Sequence, residues 1–417
     1  MTQAFRWRDG LAYGLLGLPL AFVALPLYVI LPNHYAREFG VPLATLGAVL
    51  LGARLFDAFI DPLIGRASDR LFARSPRAVL GFGAGAAVLL AAGFTLLFFP
   101  PTRAPDALVL WATLVLVLTY AAYSALSVAH QSWGAMLGGD EAQRSRIVSW
   151  REGLGLVGVL LASVLPLAIG LPWTVAVFSA LLALAWWAWT RARATQPRTD
   201  RHPASLWLPF SRPAFRRLLA VFVLNGIASA VPATLVLFFV QDRLQAPRNI
   251  EPAFLGSYFL CAALSIPLWL KVVGRFGLAR SWLAGMALAI AVFVWATQLG
   301  AGDVLPFIVV CALSGVALGT DLALPGAMLA GVIADAGDRG QAEGAYFGWW
   351  NFATKLNLAL AAGLALPLLG LFGYTPGARG EEALTALVVA YCLLPCVLKL
   401  LAALALYLTI IRHKASA

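Results

Sequence analysis

Two aspartates stand one helical turn apart in a segment that is otherwise mostly apolar. Asp57 and Asp61 follow Arg54 at spacings of three and four residues, so all three side chains project from one face of a helix. Two neighbouring carboxylates offer the oxygen ligands that hard cations such as Na⁺ prefer, or a pair that can share a proton. The spacing therefore indicates a cation or proton site. Alternatively, the acids only neutralise Arg54 and Arg151 and so hold a helix bundle together.

The composition indicates what kind of structure must position these acids. Of the 417 residues, 61% are hydrophobic and only 12% are charged, whereas soluble proteins carry about 25% charged residues. A soluble enzyme is therefore excluded, and an all-α integral membrane protein is predicted. The net charge of +11 is assigned to short cytoplasmic loops and not to nucleic-acid binding.

Apolar segments bounded by charges, Pro or Gly fall into two sets of six. They are 11–31, 41–63, 78–99, 107–137, 147–169, 173–189, 218–240, 254–270, 281–299, 304–333, 344–372 and 384–411. Since a spanning helix needs about 20 residues, we predict twelve transmembrane helices in two six-helix halves, residues 1–192 and 218–417. A polar linker at 193–217 joins the halves on the cytoplasmic side.

The basic residues predict the orientation of the chain. With the N-terminus inside, the outer loops hold only Arg37, Arg103, Arg243, Arg248 and Arg379, and nearly all other loop Lys and Arg residues lie inside. This bias predicts a multi-pass protein of the cytoplasmic (inner) membrane with both termini in the cytoplasm.

Polar stripes and further charges inside the spans are candidate substrate-binding groups. A charge at the centre of a spanning helix costs at least about 2.5–3.5 kcal/mol, so each is expected to face a cavity or a partner. Asp321 is expected to contact substrate or to pair with Lys355, whereas Lys399 is interpreted as packed or snorkelling. His130 is either a protonatable substrate group or a helix-packing histidine. The candidate substrate residues are Tyr120, Ser127, His130, Gln131, Arg151, Asp321, Trp350 and Asn351.

The loop after the second segment, GRASDR, contains Gly65, Asp69 and Arg70. It resembles the signature loop of the major facilitator superfamily, in which the glycine permits a tight turn and the acid and base latch neighbouring helix ends on the cytoplasmic side. With two sets of six spans, this resemblance implies a major facilitator fold and a transporter with its substrate site near the midplane.

Four stretches are similar to the glycoside-pentoside-hexuronide:cation symporter family within that superfamily, and the similarity covers most of the chain. They are RLFDAFIDP at 54–62, SVAHQSWGAML at 127–137, RSRIVSWR at 144–151 and the segment 346–363 with its lysine.

This resemblance implies roles for individual residues. Asp57 and Asp61 would coordinate the coupling cation, Ser124 would stand where the family has a hydroxyl ligand, and Lys355 would lie beside that site. Arg151 would face the substrate cavity. In galactoside-binding members, carboxylates would fall near Ala21 and at Ser127, and a stacking aromatic would fall at Gln131. These groups are missing here, so a galactoside substrate is not expected.

The sequence therefore predicts a secondary transporter, coupled to Na⁺ or H⁺, that moves a small polar or amphiphilic organic solute by alternating access. A lysolipid symporter of the same fold is the first alternative, because vertebrate lysophosphatidylcholine symporters resemble the same family and also lack the sugar-binding carboxylates. An intramembrane acyl or glycosyl transferase using Asp321 or His130 is an alternative of another class. No enzymatic activity, resident cofactor or nucleic-acid partner is expected, and the predicted monomer contacts only its substrate and the bilayer.

Overall fold

The computed structural model describes residues 5–195, 205–247, 250–371, 373–374 and 377–412. The chain forms two compact units, Met1–Ser211 with Ala330–Phe352, and Arg212–Leu329 with Ala353–Ala417. The middle of the predicted linker, residues 196–204 with Arg198, Asp200 and Arg201, lies outside the described residues.

Long helices make up nearly all of the described chain. The first six are α1 (Trp7–Leu25), α2 (Leu43–Arg74), α3 (Pro76–Phe98), α4 (Pro105–Met136), α5 (Glu141–Pro166) and α6 (Ala168–Thr190). The second six are α7 (Pro213–Arg243), α8 (Glu251–Phe276), α9 (Leu278–Ala296), α10 (Val304–Asp335), α11 (Glu343–Leu371) and α12 (Glu381–Ile411). The end of α10 and the start of α11 belong to the first unit.

Among the described residues, 10 of these helices are long and apolar enough to cross a membrane. The other two, α2 and α11, are helices of 32 and 29 residues and carry Arg54, Asp57, Asp61 and Lys355. The predicted all-α fold of transmembrane helices is thus confirmed.

Glycines allow α1 to lie very close to α5 in the first unit. A Cβ added at Gly14 would lie 2.7 Å from the backbone of Trp150, and one added at Gly17 would lie 2.3 Å from the carbonyl oxygen of Arg151. Small residues that let two helix backbones approach are typical of packing in membranes. This contact fixes Arg151 against the first helix.

A break lies at Gly170, near the start of α6 and just after the end of α5. Gly170 has φ 78° and ψ 166° between Pro166 and Pro172. A positive φ suits glycine, and the two prolines remove backbone donors on either side. The chain therefore turns here and continues as the spanning part of α6.

Aromatic side chains fill the core of each unit. In the first unit Phe94 contacts Phe98 and Phe178, with ring centroids 5.1 and 4.6 Å away. In the second unit Phe239 stacks on Tyr391 at 4.3 Å. Since these helices cross hydrocarbon, van der Waals packing of such rings and close helix contacts hold each unit together.

The loop before α12 is tied to the end of α7. The Asp242 carboxylate accepts hydrogen bonds from the Tyr374 hydroxyl and from the backbone N–H of Gly377, and Arg379 donates to the carbonyl of Asp242 at 2.8 Å. Burial raises the pKa of Tyr374 above its usual value of 10.0, and the hydrogen bond to Asp242 acts in the same direction.

Candidate functional site

The two aspartates of α2 point into the first unit. Asp57 is 4% exposed and Asp61 is 0% exposed, whereas Phe56 and Phe59 on the other side of the helix are 48% and 66% exposed. In a soluble protein, the charged side chains of a helix are exposed and the aromatic ones are buried. The opposite distribution is expected for a helix whose outer face contacts lipid. The interior of the unit is a low-dielectric medium, so the charge of each carboxylate must be balanced by a cation, a proton or a neighbouring base.

A hydroxyl of α4 joins this acidic site. Ser124 Oγ, itself buried, donates to Asp57 Oδ1 at 2.7 Å. One carboxylate and one hydroxyl are thereby brought together from two helices, with Asp61 one turn further along α2. Within the described residues, no group of three or more His, Cys, Asp and Glu side chains suits a metal ion. Asp57, Asp61 and Ser124 provide oxygen donors.

Tyr120, Ser124, Ser127 and Gln131 form the predicted polar stripe on α4, which continues toward the end of the helix. Gln131 Nε2 donates to Ser127 Oγ at 2.9 Å, one turn apart. Tyr120 and Ser127 are buried, while Gln131 is half-buried. The stripe therefore includes the acidic site at Ser124 and presents hydroxyl and amide groups along one helix face.

His130 lies inside the first unit. Its Nε2 lies 2.8 Å from the carbonyl oxygen of Tyr13, its ring stacks on Tyr13 at a centroid distance of 4.3 Å, and Trp189 meets it edge-on. Because a carbonyl oxygen only accepts, Nε2 carries the proton in the neutral ring. This enclosure favours the helix-packing interpretation that the sequence left open.

Arg151 forms an ion pair with its chain neighbour. Its Nη2 and Nε lie 2.6 and 3.0 Å from Glu152 Oε1. The side chains of Arg151 and Glu152 are 13% and 27% exposed. Since Arg151 keeps an exposed edge while its charge is balanced, it can still offer N–H donors to a solute.

The conformational-latch residues lie where α2 meets the start of α11. Asp69 is fully buried, and its two carboxylate oxygens accept from the backbone N–H groups of Gly344 and Ala345 at 2.8 and 2.9 Å. These N–H groups belong to the first turn of α11, where a negative charge is stabilising. Gly65 is required for this approach, because a Cβ there would lie 2.0 Å from the carbonyl oxygen of Gly344. Arg70, the third predicted latch residue, is exposed.

The candidate residues of α11 divide between the units. Trp350 is buried and Asn351 is half-buried in the first unit, whereas Lys355 is half-buried and belongs to the second unit. Substrate binding at Trp350 and Asn351 and cation binding at Lys355 stay predictions.

The predicted ion pair of Asp321 with Lys355 is wrong. Asp321 Oδ2 pairs instead with Lys399 Nζ at 3.0 Å. Lys399 also donates to Asn225 Oδ1 at 2.8 Å and to Ser229 Oγ at 3.2 Å. The lysine neither snorkels to an interface nor only packs, because all three of its donors are used inside the second unit.

Two further donors complete the network around Asp321. Asn225 Nδ2 and Trp282 Nε1 donate to Asp321 Oδ1 at 3.0 and 2.8 Å, and Ser229 donates to Oδ2 at 3.2 Å. Sequence reasoning did not identify Asn225, Ser229 or Trp282. The available signal was the spacing of Asn225 and Ser229, four residues apart on one face of an apolar helix.

Comparison with known proteins gives a consistent result. The family described as MFS/sugar transport protein matches residues 10–413. A Salmonella typhimurium (strain LT2) protein, provisionally named as a sulfoquinovose importer, is 26% identical over 97% of this chain and 89% of its own length. The Escherichia coli K12 inner membrane symporter YicJ is 26% identical over 61% of this chain and 60% of its own length.

Solved structures share the fold. A bacterial homologue of the iron transporter ferroportin, in an outward-facing state, superposes with a TM-score of 0.72 over 96% of this chain and 98% of its own. At 16% sequence identity, this similarity concerns the arrangement of helices alone.

Proposed function

The chain belongs to the family of MFS/sugar transport proteins, and we propose that it is a cation-coupled secondary transporter of a small polar organic solute. The coupling ion is Na⁺ or H⁺, and the solute is of the sugar type. Transport proceeds by alternating access in the cytoplasmic membrane, with both termini in the cytoplasm. The relatives named as an importer and an inner membrane symporter support this proposal.

The observation that carries the proposal is the buried contact between Asp57 and Ser124. A carboxylate, a hydroxyl and a second carboxylate one turn away form an oxygen-rich site inside an apolar helix bundle. Na⁺ would bind these hard oxygen donors directly, and a proton would instead occupy one carboxylate of the pair. Either ion offsets negative charge that is costly to bury.

Coupling follows if solute binding and ion binding favour the same arrangement of the protein. Ser124 belongs to the same face of α4 as Ser127 and Gln131. An ion that fixes Asp57 and Ser124 therefore also orders the helix that presents the candidate solute donors and acceptors. Arg151 adds an exposed edge of N–H donors that suits a strongly polar solute.

The cap that Asp69 forms on α11 acts as the latch in this proposal. Its two hydrogen bonds to backbone N–H groups, at 2.8 and 2.9 Å, must break if α2 and the start of α11 separate during transport. The latch thus sets part of the free-energy difference between conformations.

The test uses purified protein in proteoliposomes with imposed Na⁺ or pH gradients. Sulfoquinovose and a panel of monosaccharides and glycosides serve as labelled solutes. Asp57→Asn and Asp61→Asn, assayed separately, are expected to abolish gradient-driven accumulation, while Asp106→Asn, an exposed acid at the start of α4, retains it. If both variants accumulate solute at the wild-type rate, the coupling role is wrong.

A second readout needs no solute. Thermal unfolding of the wild-type protein is followed while Na⁺ is titrated against K⁺ at several pH values. Ligands that bind only the folded state raise the melting temperature, so the coupling ion is expected to stabilise the wild type and Asp106→Asn but neither Asp57→Asn nor Asp61→Asn.

A further inference from the structure

The second unit contains a cavity of about 340 Å³ at the Asp321–Lys399 pair. Its walls come from α7, α8, α9, α10 and α12, so it lies within one unit. The volume falls in the range of small-molecule sites, about 300–1,000 Å³. None of the ion-coupling groups proposed above contributes to it.

Most of the wall is apolar and aromatic. Tyr258, Phe259, Phe293 and Tyr391 provide rings from three helices, and Ala, Val, Leu, Ile and Pro side chains make up most of the remainder. A free sugar would bury several hydroxyl groups against such a wall without partners, which is unfavourable. Aromatic rings instead suit a flat apolar ligand. The cavity is therefore unsuited to the solute class of the proposed function.

One end of the cavity is polar but carries no net charge. Ser229, Asp321 and Lys399 line it, and the side chains of Lys399 and Asp321 are 9% and 15% exposed. The three donors of Lys399 are already used, as are both oxygens of Asp321. A charged ligand would have to disrupt this neutral network, whereas a hydroxyl can bind at its exposed edge without displacing any member.

One hydroxyl of the cavity wall can form a hydrogen bond with such a ligand. Ser314 lines the cavity on α10, two helical turns before Asp321. Its Oγ is buried and has no hydrogen-bond partner within the described part of the chain. An unsatisfied buried hydroxyl costs roughly 1–3 kcal/mol, so a partner supplied by a ligand would be favourable.

We propose that this cavity is a binding site for an uncharged aromatic alcohol, with its ring between Tyr258, Phe293 and Tyr391 and its hydroxyl toward Ser314 or the edge of the Asp321–Lys399 pair. This inference goes beyond the proposed transport function and does not depend on it. The site belongs to the second unit alone.

The probe is 4-(hydroxymethyl)benzophenone, an aromatic alcohol that inserts into nearby C–H bonds under ultraviolet light. Purified full-length protein in lipid nanodiscs is irradiated with it, and the labelled peptides are mapped by mass spectrometry. Saturable labelling at cavity residues of α7, α8, α10 or α12, competed by 2-naphthylmethanol, is expected. Labelling confined to lipid-facing residues, or labelling that 2-naphthylmethanol does not reduce, would overturn the proposal.

Variants of α10 test the position of the ligand. Ala317→Phe fills the cavity, since Ala317 lines it, and is expected to abolish saturable labelling. Leu313→Phe is the matched control, because Leu313 lies on the same helix outside the lining and is 37% exposed. Equal labelling of both variants contradicts the site.

The chemistry of the polar end is tested separately. Ser314→Ala removes one hydroxyl and is expected to weaken binding about fivefold, the loss of one neutral hydrogen bond of about 1 kcal/mol. The anion 4-benzoylbenzoate is expected to label at least tenfold less than the alcohol, because it must disrupt the Asp321–Lys399 network. Equal labelling by anion and alcohol would show that the neutral polar end does not select the ligand.

Melting temperatures of all variants identify any that fail to fold. If Ala317→Phe fails to fold, Ser314→Ala, which removes a single oxygen, remains as the test.

Discussion

Ser124 Oγ and Asp57 Oδ1 lie 2.7 Å apart although their residues are 67 positions apart in the chain. This hydrogen bond joins α4 to a buried carboxylate of α2. It places the polar stripe of α4 and the acids of α2 in one site.

Ser124→Ala is expected to raise the cation concentration at half-maximal uptake about tenfold. The serine fixes the Asp57 carboxylate and supplies an oxygen, and a hydrogen bond to a charged group contributes about 1.5–3 kcal/mol. Ser124→Thr keeps the hydroxyl and should remain close to wild type. Cation-dependent uptake in proteoliposomes is the measurement, and an unchanged concentration dependence in Ser124→Ala would argue against a role for this hydroxyl.

Asp69→Ala is expected to destabilise the first unit by about 1–2 kcal/mol, because two N–H groups of the first turn of α11 lose their acceptor. Asp69→Asn keeps one acceptor oxygen and should fall between Ala and wild type. Chemical or thermal unfolding in detergent provides the comparison. If both variants unfold like the wild type, the cap contributes nothing to stability.

Gly65→Ala should impair folding or transport far more than Gly52→Ala on the same helix. A Cβ at Gly65 would clash with the carbonyl oxygen of Gly344, whereas a Cβ at Gly52 meets nothing within 4 Å. Expression level, melting temperature and uptake are compared for the two variants. Equal behaviour would show that α2 and α11 can separate at this point without loss.

Asp321→Asn and Lys399→Met are each expected to destabilise the protein by about 3–5 kcal/mol, because each leaves an uncompensated buried charge. The double variant should be more stable than either single variant. Unfolding free energies in a double-mutant cycle measure this coupling, and the matched cycle of Asp321→Asn with Lys355→Met should be additive within about 0.5 kcal/mol. Additivity of Asp321→Asn with Lys399→Met would contradict the pair.

Simple galactosides are not expected to bind. Ala21 and Ser127 leave no carboxylate at the positions from which galactoside-binding relatives would grip the sugar hydroxyls, and charge-assisted hydrogen bonds are the strong ones. Isothermal titration with melibiose and a nitrophenyl galactoside checks this. Saturable binding at sub-millimolar concentration would show that other groups replace the missing acids.

The positions of the helices could be predicted from the sequence, but the partners of the charged side chains on them could not. Apolar segments of about 20 residues and their Pro and Gly boundaries specify spans locally, so the spans were predictable. The spacing of Asp57 and Asp61 placed both on one face for the same reason. The partner of Asp321 was not predictable, because Lys355 and Lys399 lie on different helices and only the packing of α7, α10 and α12 decides between them. The partners of Asp69 were not predictable either. They are backbone N–H groups of α11, which every residue except proline carries, so no pattern of side chains identifies them.

The closed network of Lys399 and Asp321 also bears on how the membrane potential acts on this protein. Moving one elementary charge through the whole potential involves about 2.3 kcal/mol per 100 mV, but a lysine and an aspartate that move together carry no net charge. The electric field therefore does no work on this pair, wherever it lies in the bilayer. In the proposed coupling site, by contrast, a carboxylate of Asp57 or Asp61 that gains and loses a cation would change the charge within the field, so the voltage dependence of uptake would report on that site and not on the Asp321–Lys399 pair.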